Sequence, residues 1–261
     1  MASLDYSSYL RLEQLLDLQH PLSEPAEHDE TLFIVIHQVY ELWFKEVLHE
    51  CEHLARALDD DQTVAAARTL QRLAAIGRVM NAQWQVLHTM SPAAFAAFRG
   101  ALQRASGFQS AQFRELEFVL GKRDVGVLSV FPTDSAVRAR LLALLDRPSL
   151  YIRFLRYIGR SGAPLSAQAV ERTAADGEAD EPEVLRALRT IYRERLAQLP
   201  VCEGMVDLDV WVQEWRYQHV KTVERFIGTR GGTGGSAGAD YLRGTLFRPL
   251  FPALWRVRNE L

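Results

Sequence analysis

Residues 28–58 read HDETLFIVIHQVYELWFKEVLHECEHLARAL, a stretch with neither glycine nor proline. Phe33, His37, Tyr40, Phe44 and Leu48 recur in it at spacings of three and four, which places them on one stripe of a long helix. Ser23 and Pro25 precede it, and Glu27, Asp29 and Glu30 put negative charge at its positive dipole end. The spacing therefore predicts one long helix over 28–58.

The same period continues on both sides. Residues 62–89 predict a second long helix, carrying Leu70, Leu73, Ile76, Val79, Met80 and Trp84. Proline, glycine and Ser-Gly punctuation then sets off short helices at 92–102, 109–120, 134–145 and 149–160. Residues 161–182 (SGAPLSAQAVERTAADGEADEP) are polar and acidic and read as a loose excursion, followed by a helix at 183–198. Over 204–228, Leu208, Trp211, Trp215, His219, Val223 and Phe226 share one stripe of another long helix. The glycine-rich run GTRGGTGGSAG at 228–238 ends it, and a final helical pair is expected over about 239–260. No alternating strand pattern and no internal repeat stand out. The expected fold class is all-α, a helical bundle with additional short helices, with 1–261 as a single domain and a variable excursion near 161–182.

Composition narrows the function. With 261 residues, 48% hydrophobic and 24% charged, the chain can bury a sizeable core. A formal net charge of -3 carries no basic excess, so nucleic acid is set aside as a partner. Cys51 and Cys202 form no CxxC pair and read as free thiols in a reducing compartment. Residues 1–9 show no secretory signal, and no apolar run approaches a membrane span. The expectation is a cytoplasmic protein with no membrane partner.

Seven histidines are available, and two of them, His37 and His219, sit in aromatic stripes on long predicted helices. Either can be a hydrogen-bonded core histidine. An apolar slot lined by rings with an imidazole on each side is also what a heme requires. His49 and His53 share a face, but Glu50, Glu52 and Asp59 surround them, as on a solvated helix. The run at 228–238 lacks the lysine and the preceding strand of a phosphate loop. It reads as either a flexible connection or a lid, with Thr233 and Ser236 its hydrogen-bonding side chains. In 95–117 (FAAFRGALQRASGFQSAQFRELE), Arg99 and Arg114 each follow a phenylalanine. A guanidinium beside rings suits a carboxylate, and the pattern does not separate the two.

Four blocks in order carry a family resemblance: YSSYLRLEQLL at 6–16, HDETLFIVIHQVYELWFKEVLHE at 28–50, SGFQSAQFRELEFVLG at 106–121 and WRYQHVKTVERFIGTRGGTGGSAGADYLR at 215–243. Over nearly its whole length the chain resembles the tryptophan 2,3-dioxygenases. The resemblance implies an oxidoreductase of tryptophan catabolism, on the kynurenine pathway. It opens the indole C2–C3 bond of L-tryptophan with O2 to give N-formyl-L-kynurenine. It also implies heme b, ferrous in the active form and bound without covalent attachment, in a homotetramer. By resemblance His219 is the axial ligand to heme iron and His37 the catalytic histidine that meets the indole N–H. Phe33 and Phe95 belong to the substrate pocket, Arg99 grips the substrate carboxylate, and Thr233 meets its ammonium and carboxylate groups. Ser106 lies near heme and substrate. Tyr6 and Tyr9 are similar to N-terminal tyrosines that reach a neighbouring subunit's pocket. A related heme-dependent oxygenase that inserts one oxygen atom into a tryptophan or tyrosine derivative would carry a similar pocket.

Overall fold

The structure is a computed structural model and describes residues 4–103, 105–176, 182–228 and 242–261. Its elements are helical, with no strand among the described residues. In chain order the helices are α1 Tyr6–Leu10, α2 Leu12–Leu15, α3 His28–Asp59, α4 Thr63–Leu87, α5 Pro92–Arg99 and α6 Ala111–Leu120. There follow α7 Ala136–Leu145, α8 Leu150–Arg160, α9 Ala167–Asp176, α10 Pro182–Glu194, α11 Leu199–Ile227 and α12 Pro252–Arg256.

Three long helices form the frame. α4 packs between α3 and α11, while α6 and α8 lie against α3. α5 caps one end by touching both α3 and α11. The α3 stripe runs through buried Ile36, Tyr40, Phe44, Val47, Cys51, Leu54 and Leu58, the spacing that the period of 3.6 demands. Close approach of α4 and α11 depends on Gly77, where an added Cβ would sit 2.2 Å from Trp211 Cγ. The main hydrophobic core draws buried residues from α3 to α6 and from α8 to α12, and Phe118, Val127, Leu128 and, from α7, Leu141 form a satellite beside it.

Serine hydroxyls start the short helices. Ser91, Ser110, Ser135 and Ser149 accept from the backbone N–H of Ala94, Phe113, Arg138 and Ile152. α3 has no such side-chain cap. Its first-turn Glu30 is instead buried and accepts from the N–H groups of Leu22 and Ser23 at 2.8 and 2.9 Å, pinning the incoming chain. No helix among the described residues is long and apolar enough to cross a membrane.

Two local expectations change. The loose excursion expected over 161–182 contains α9, which Ser166 caps and whose Ala169, Val170 and Thr173 are buried. Residues 177–181 lie outside the described set. α11 begins at Leu199, five residues before the expected start, because Pro200 fits a first turn and Val201, Cys202 and Met205 extend the buried stripe. Of the helical pair expected over 239–260, residues 239–241 lie outside the described set, Leu242 and Arg243 are helical, and α12 with a 3-10 turn at Val257–Glu260 supplies the second member. Turn and irregular chain separate the two, where Phe247 takes a left-handed φ of 57°, and Pro252 opens α12.

Candidate active site

A cavity of about 220 Å³ opens between α3, α4, α5, α6 and α11. α3 lines it with Phe33, His37, Tyr40, Glu41 and Phe44, and α11 with Trp215, Arg216, His219, Thr222, Val223 and Phe226. The two aromatic stripes that define these helices face each other across it, so one pattern makes both the frame and the slot.

His37 Nδ1 lies 2.7 Å from the carbonyl oxygen of Phe33. A carbonyl only accepts, so the ring donates from Nδ1 and keeps Nε2 as an acceptor. Burial lowers the pKa of His37, against smaller opposing effects of the Phe33 carbonyl and Glu41, and favours the neutral ring. Phe33 stands beside it, ring centroids 4.1 Å apart, and continues to Phe95 at 5.8 Å; Phe95 reaches Phe226 at 5.3 Å. These rings make one apolar wall.

His219 occupies the opposite helix. Trp84 stacks on it at 5.8 Å and Trp215 lies at 5.1 Å. Among the described residues no hydrogen bond to its ring is present. Burial pushes its pKa down to about 4, and nearby His37 and Arg114 add to the shift. A neutral, unpartnered imidazole in a ring-lined cavity has the donor chemistry of an axial heme ligand. The residues present thus fit a heme: an imidazole donor, apolar aromatic walls for a flat macrocycle, and cationic side chains for acidic groups. No cluster of three or more His, Cys, Asp or Glu suited to a bare metal ion occurs among the described residues.

Both candidate carboxylate clamps line the cavity. Arg114, only 4% exposed, donates from Nη1 to Glu117 Oε2 at 2.6 Å and lies over the Phe108 ring at 4.4 Å. Arg99 also lines the cavity, from the last turn of α5, one turn after Phe95. Ser106 is in the lining as well, its hydroxyl accepting from Phe108 N–H at 3.3 Å. His37, His219, Phe33, Phe95, Arg99 and Ser106 therefore meet in one cavity. Tyr6 and Tyr9 do not. They lie on α1 with 75% and 70% of their surface exposed. Thr233 lies outside the described residues.

Sequence reading gave no role to Trp84, Glu117, Lys122 or Arg216, all of which line the cavity. The signals were present: Arg114 and Glu117 are three apart on α6, and Arg216 precedes His219 by three on α11.

Comparison with known proteins places the chain in a family. The family described as Tryptophan 2,3-dioxygenase matches residues 1–129 and 187–261, leaving 130–186 unmatched, the segment that holds the acidic stretch. A protein named Tryptophan 2,3-dioxygenase from Anaeromyxobacter sp. (strain K) is 50% identical over 260 residues, covering 100% of this chain and 97% of its own length. One of the same name from Herpetosiphon aurantiacus is 45% identical, with 99% of each chain covered. Another, from Myxococcus xanthus, is 40% identical over 98% of this chain and 89% of its own. Matches of that identity along the full length settle kinship, and this chain belongs to the tryptophan 2,3-dioxygenase family.

Proposed function

We propose that this chain uses heme b, held by His219, to open the indole ring of L-tryptophan with O2, giving N-formyl-L-kynurenine. The observation that carries the reading is the pair of neutral histidines, one from α3 and one from α11, in a single ring-lined cavity. Bound at His219, the heme supplies dioxygen binding and the redox chemistry that a protein side chain cannot. The protein binds, orients and excludes water.

His37 offers Nε2 to the indole N–H and so orients the ring. Phe33 and Phe95 form the apolar wall for the indole. Arg99, which lines the cavity from the end of α5, pairs by resemblance with the substrate carboxylate. Ser106 borders the same space. Thr233, by resemblance, meets the amino acid backbone. Tyr6 and Tyr9, exposed on α1, reach a neighbouring subunit's pocket in a homotetramer. The whole chain acts as one cytoplasmic heme-binding domain. Fixing both partners in a near-attack geometry removes entropy from the barrier.

The test is direct. Purified protein loaded with hemin and reduced without air should show a Soret band that responds to L-tryptophan. Admitting air should raise the near-ultraviolet absorbance of formylkynurenine. A loaded protein indifferent to L-tryptophan would sink the proposal.

A further inference from the structure

One wall of the cavity holds a buried ion cluster. Arg114 Nη1 donates to Glu117 Oε2 at 2.6 Å, while Lys122 Nζ and Arg216 Nη2 donate to Glu117 Oε1 at 2.7 and 3.3 Å. All four side chains line the cavity. Those of Arg114, Arg216 and Glu117 are 5–6% exposed, and that of Lys122 is 26% exposed. Three cations thus share one carboxylate.

Asp209 also acts on Arg216, but its carboxylate is occupied. Oδ2 accepts from Leu250 N–H, Phe251 N–H and Trp255 Nε1–H, and Oδ1 accepts from Gln213. The cluster keeps a surplus of positive charge, even with Asp209 included. Burying unbalanced charge is costly unless an anion completes it. One donor is vacant as well: Arg114 Nε is buried with no hydrogen-bond partner. The location is specific. Arg216 stands three residues before His219, on the same face of α11.

We propose that Arg114, Lys122 and Arg216 form an anion site inside the cavity that receives a propionate carboxylate of the heme, with Glu117 as the internal counter-ion that holds the three cations in place. The inference rests on the heme reading above and adds where the acidic edge of the macrocycle lies. A planar ligand fixed at iron by His219 and at one edge by this cluster has its rotation about the Fe–N axis set. That rotation decides which edge of the ring the substrate meets.

The test compares two porphyrins on the intact wild-type protein, so it does not depend on a variant folding. Hemin and hemin dimethyl ester are titrated into heme-free protein and followed at the Soret band. The ester keeps the iron and loses both carboxylates. It should bind at least about tenfold more weakly, the loss expected for a charged hydrogen-bonded partner. Lys122→Gln, at the more exposed edge of the cluster, should weaken hemin several-fold and leave the ester unchanged. Equal affinity of wild type for both porphyrins overturns the proposal. So does a Lys122→Gln protein of normal melting temperature that still discriminates as wild type does. If neither porphyrin gives a Soret band, the heme reading fails and this inference fails with it.

Discussion

The tautomer of His37 is set by one contact, from its Nδ1–H to the carbonyl of Phe33. The rest of its chemistry follows from that. With Nδ1 occupied, Nε2 can only accept while the ring is neutral, and burial favours the neutral ring. His37→Ala is expected to lower kcat/KM about ten- to hundredfold without abolishing turnover, the worth of one oriented hydrogen bond. Steady-state kinetics check this, and unchanged kcat/KM would remove His37 from the site. His219→Ala should retain no heme, read as loss of the Soret band after hemin loading and gel filtration. Arg99→Ala should weaken L-tryptophan binding by about 2–5 kcal/mol, seen as a raised KM; an unchanged KM would exclude it as the clamp. The histidines also predict a pH dependence of heme-free protein. A ring whose folded pKa lies near 4, against 6.5 when unfolded, binds protons more readily in the unfolded chain. Stability is then unaffected above about 6.5 and falls as the pH drops toward 4. Thermal melts of wild type and His219→Phe should diverge in that window, with the variant less acid-sensitive.

Among the helices, α4 is the one whose packing leaves least room. Gly77 faces the indole of Trp211 so closely that a methyl group has nowhere to go. Gly77→Ala improves helix propensity yet is expected to destabilise by at least about 1–3 kcal/mol through overpacking. Urea unfolding of the heme-free protein measures the balance, and a more stable variant would mean that α4 and α11 do not meet as described. The long helices were legible because a stripe repeated over many turns leaves one interpretation; α3 ends within one residue of the boundary read from sequence. Weak signals failed where burial is sparse. α9 presents a short stripe of Ala169, Val170 and Thr173 within polar neighbours. That is too little apolar surface to stand out from an acidic loop. In the C-terminal stretch the apolar residues marked helix correctly at Leu242–Arg243 and Pro252–Arg256, and the left-handed Phe247 lies in the turn between them.

Across the whole molecule, the site is assembled from elements far apart in the chain, and tertiary anchors hold them. Asp209 ties the C-terminal segment to α11 by accepting from Leu250, Phe251 and Trp255. Asp209→Ala leaves these three donors and the Gln213 amide without their acceptor and should cost roughly 3 kcal/mol or more, visible as a lower melting temperature. Much of the candidate site was legible, because His37 and His219 belong to the same stripes that specify the helices. The Arg114–Glu117–Lys122–Arg216 cluster was not, since its members come from α6, the loop after it and α11, and only tertiary packing unites them. The most direct measurement of the central claim is the mass of the product formed when reduced, heme-loaded protein meets L-tryptophan under isotopically labelled dioxygen. Ring cleavage at the cavity between His37 and His219 predicts formylkynurenine with both added oxygen atoms labelled. A hydroxylated indole carrying a single labelled oxygen, or unreacted tryptophan, would contradict it.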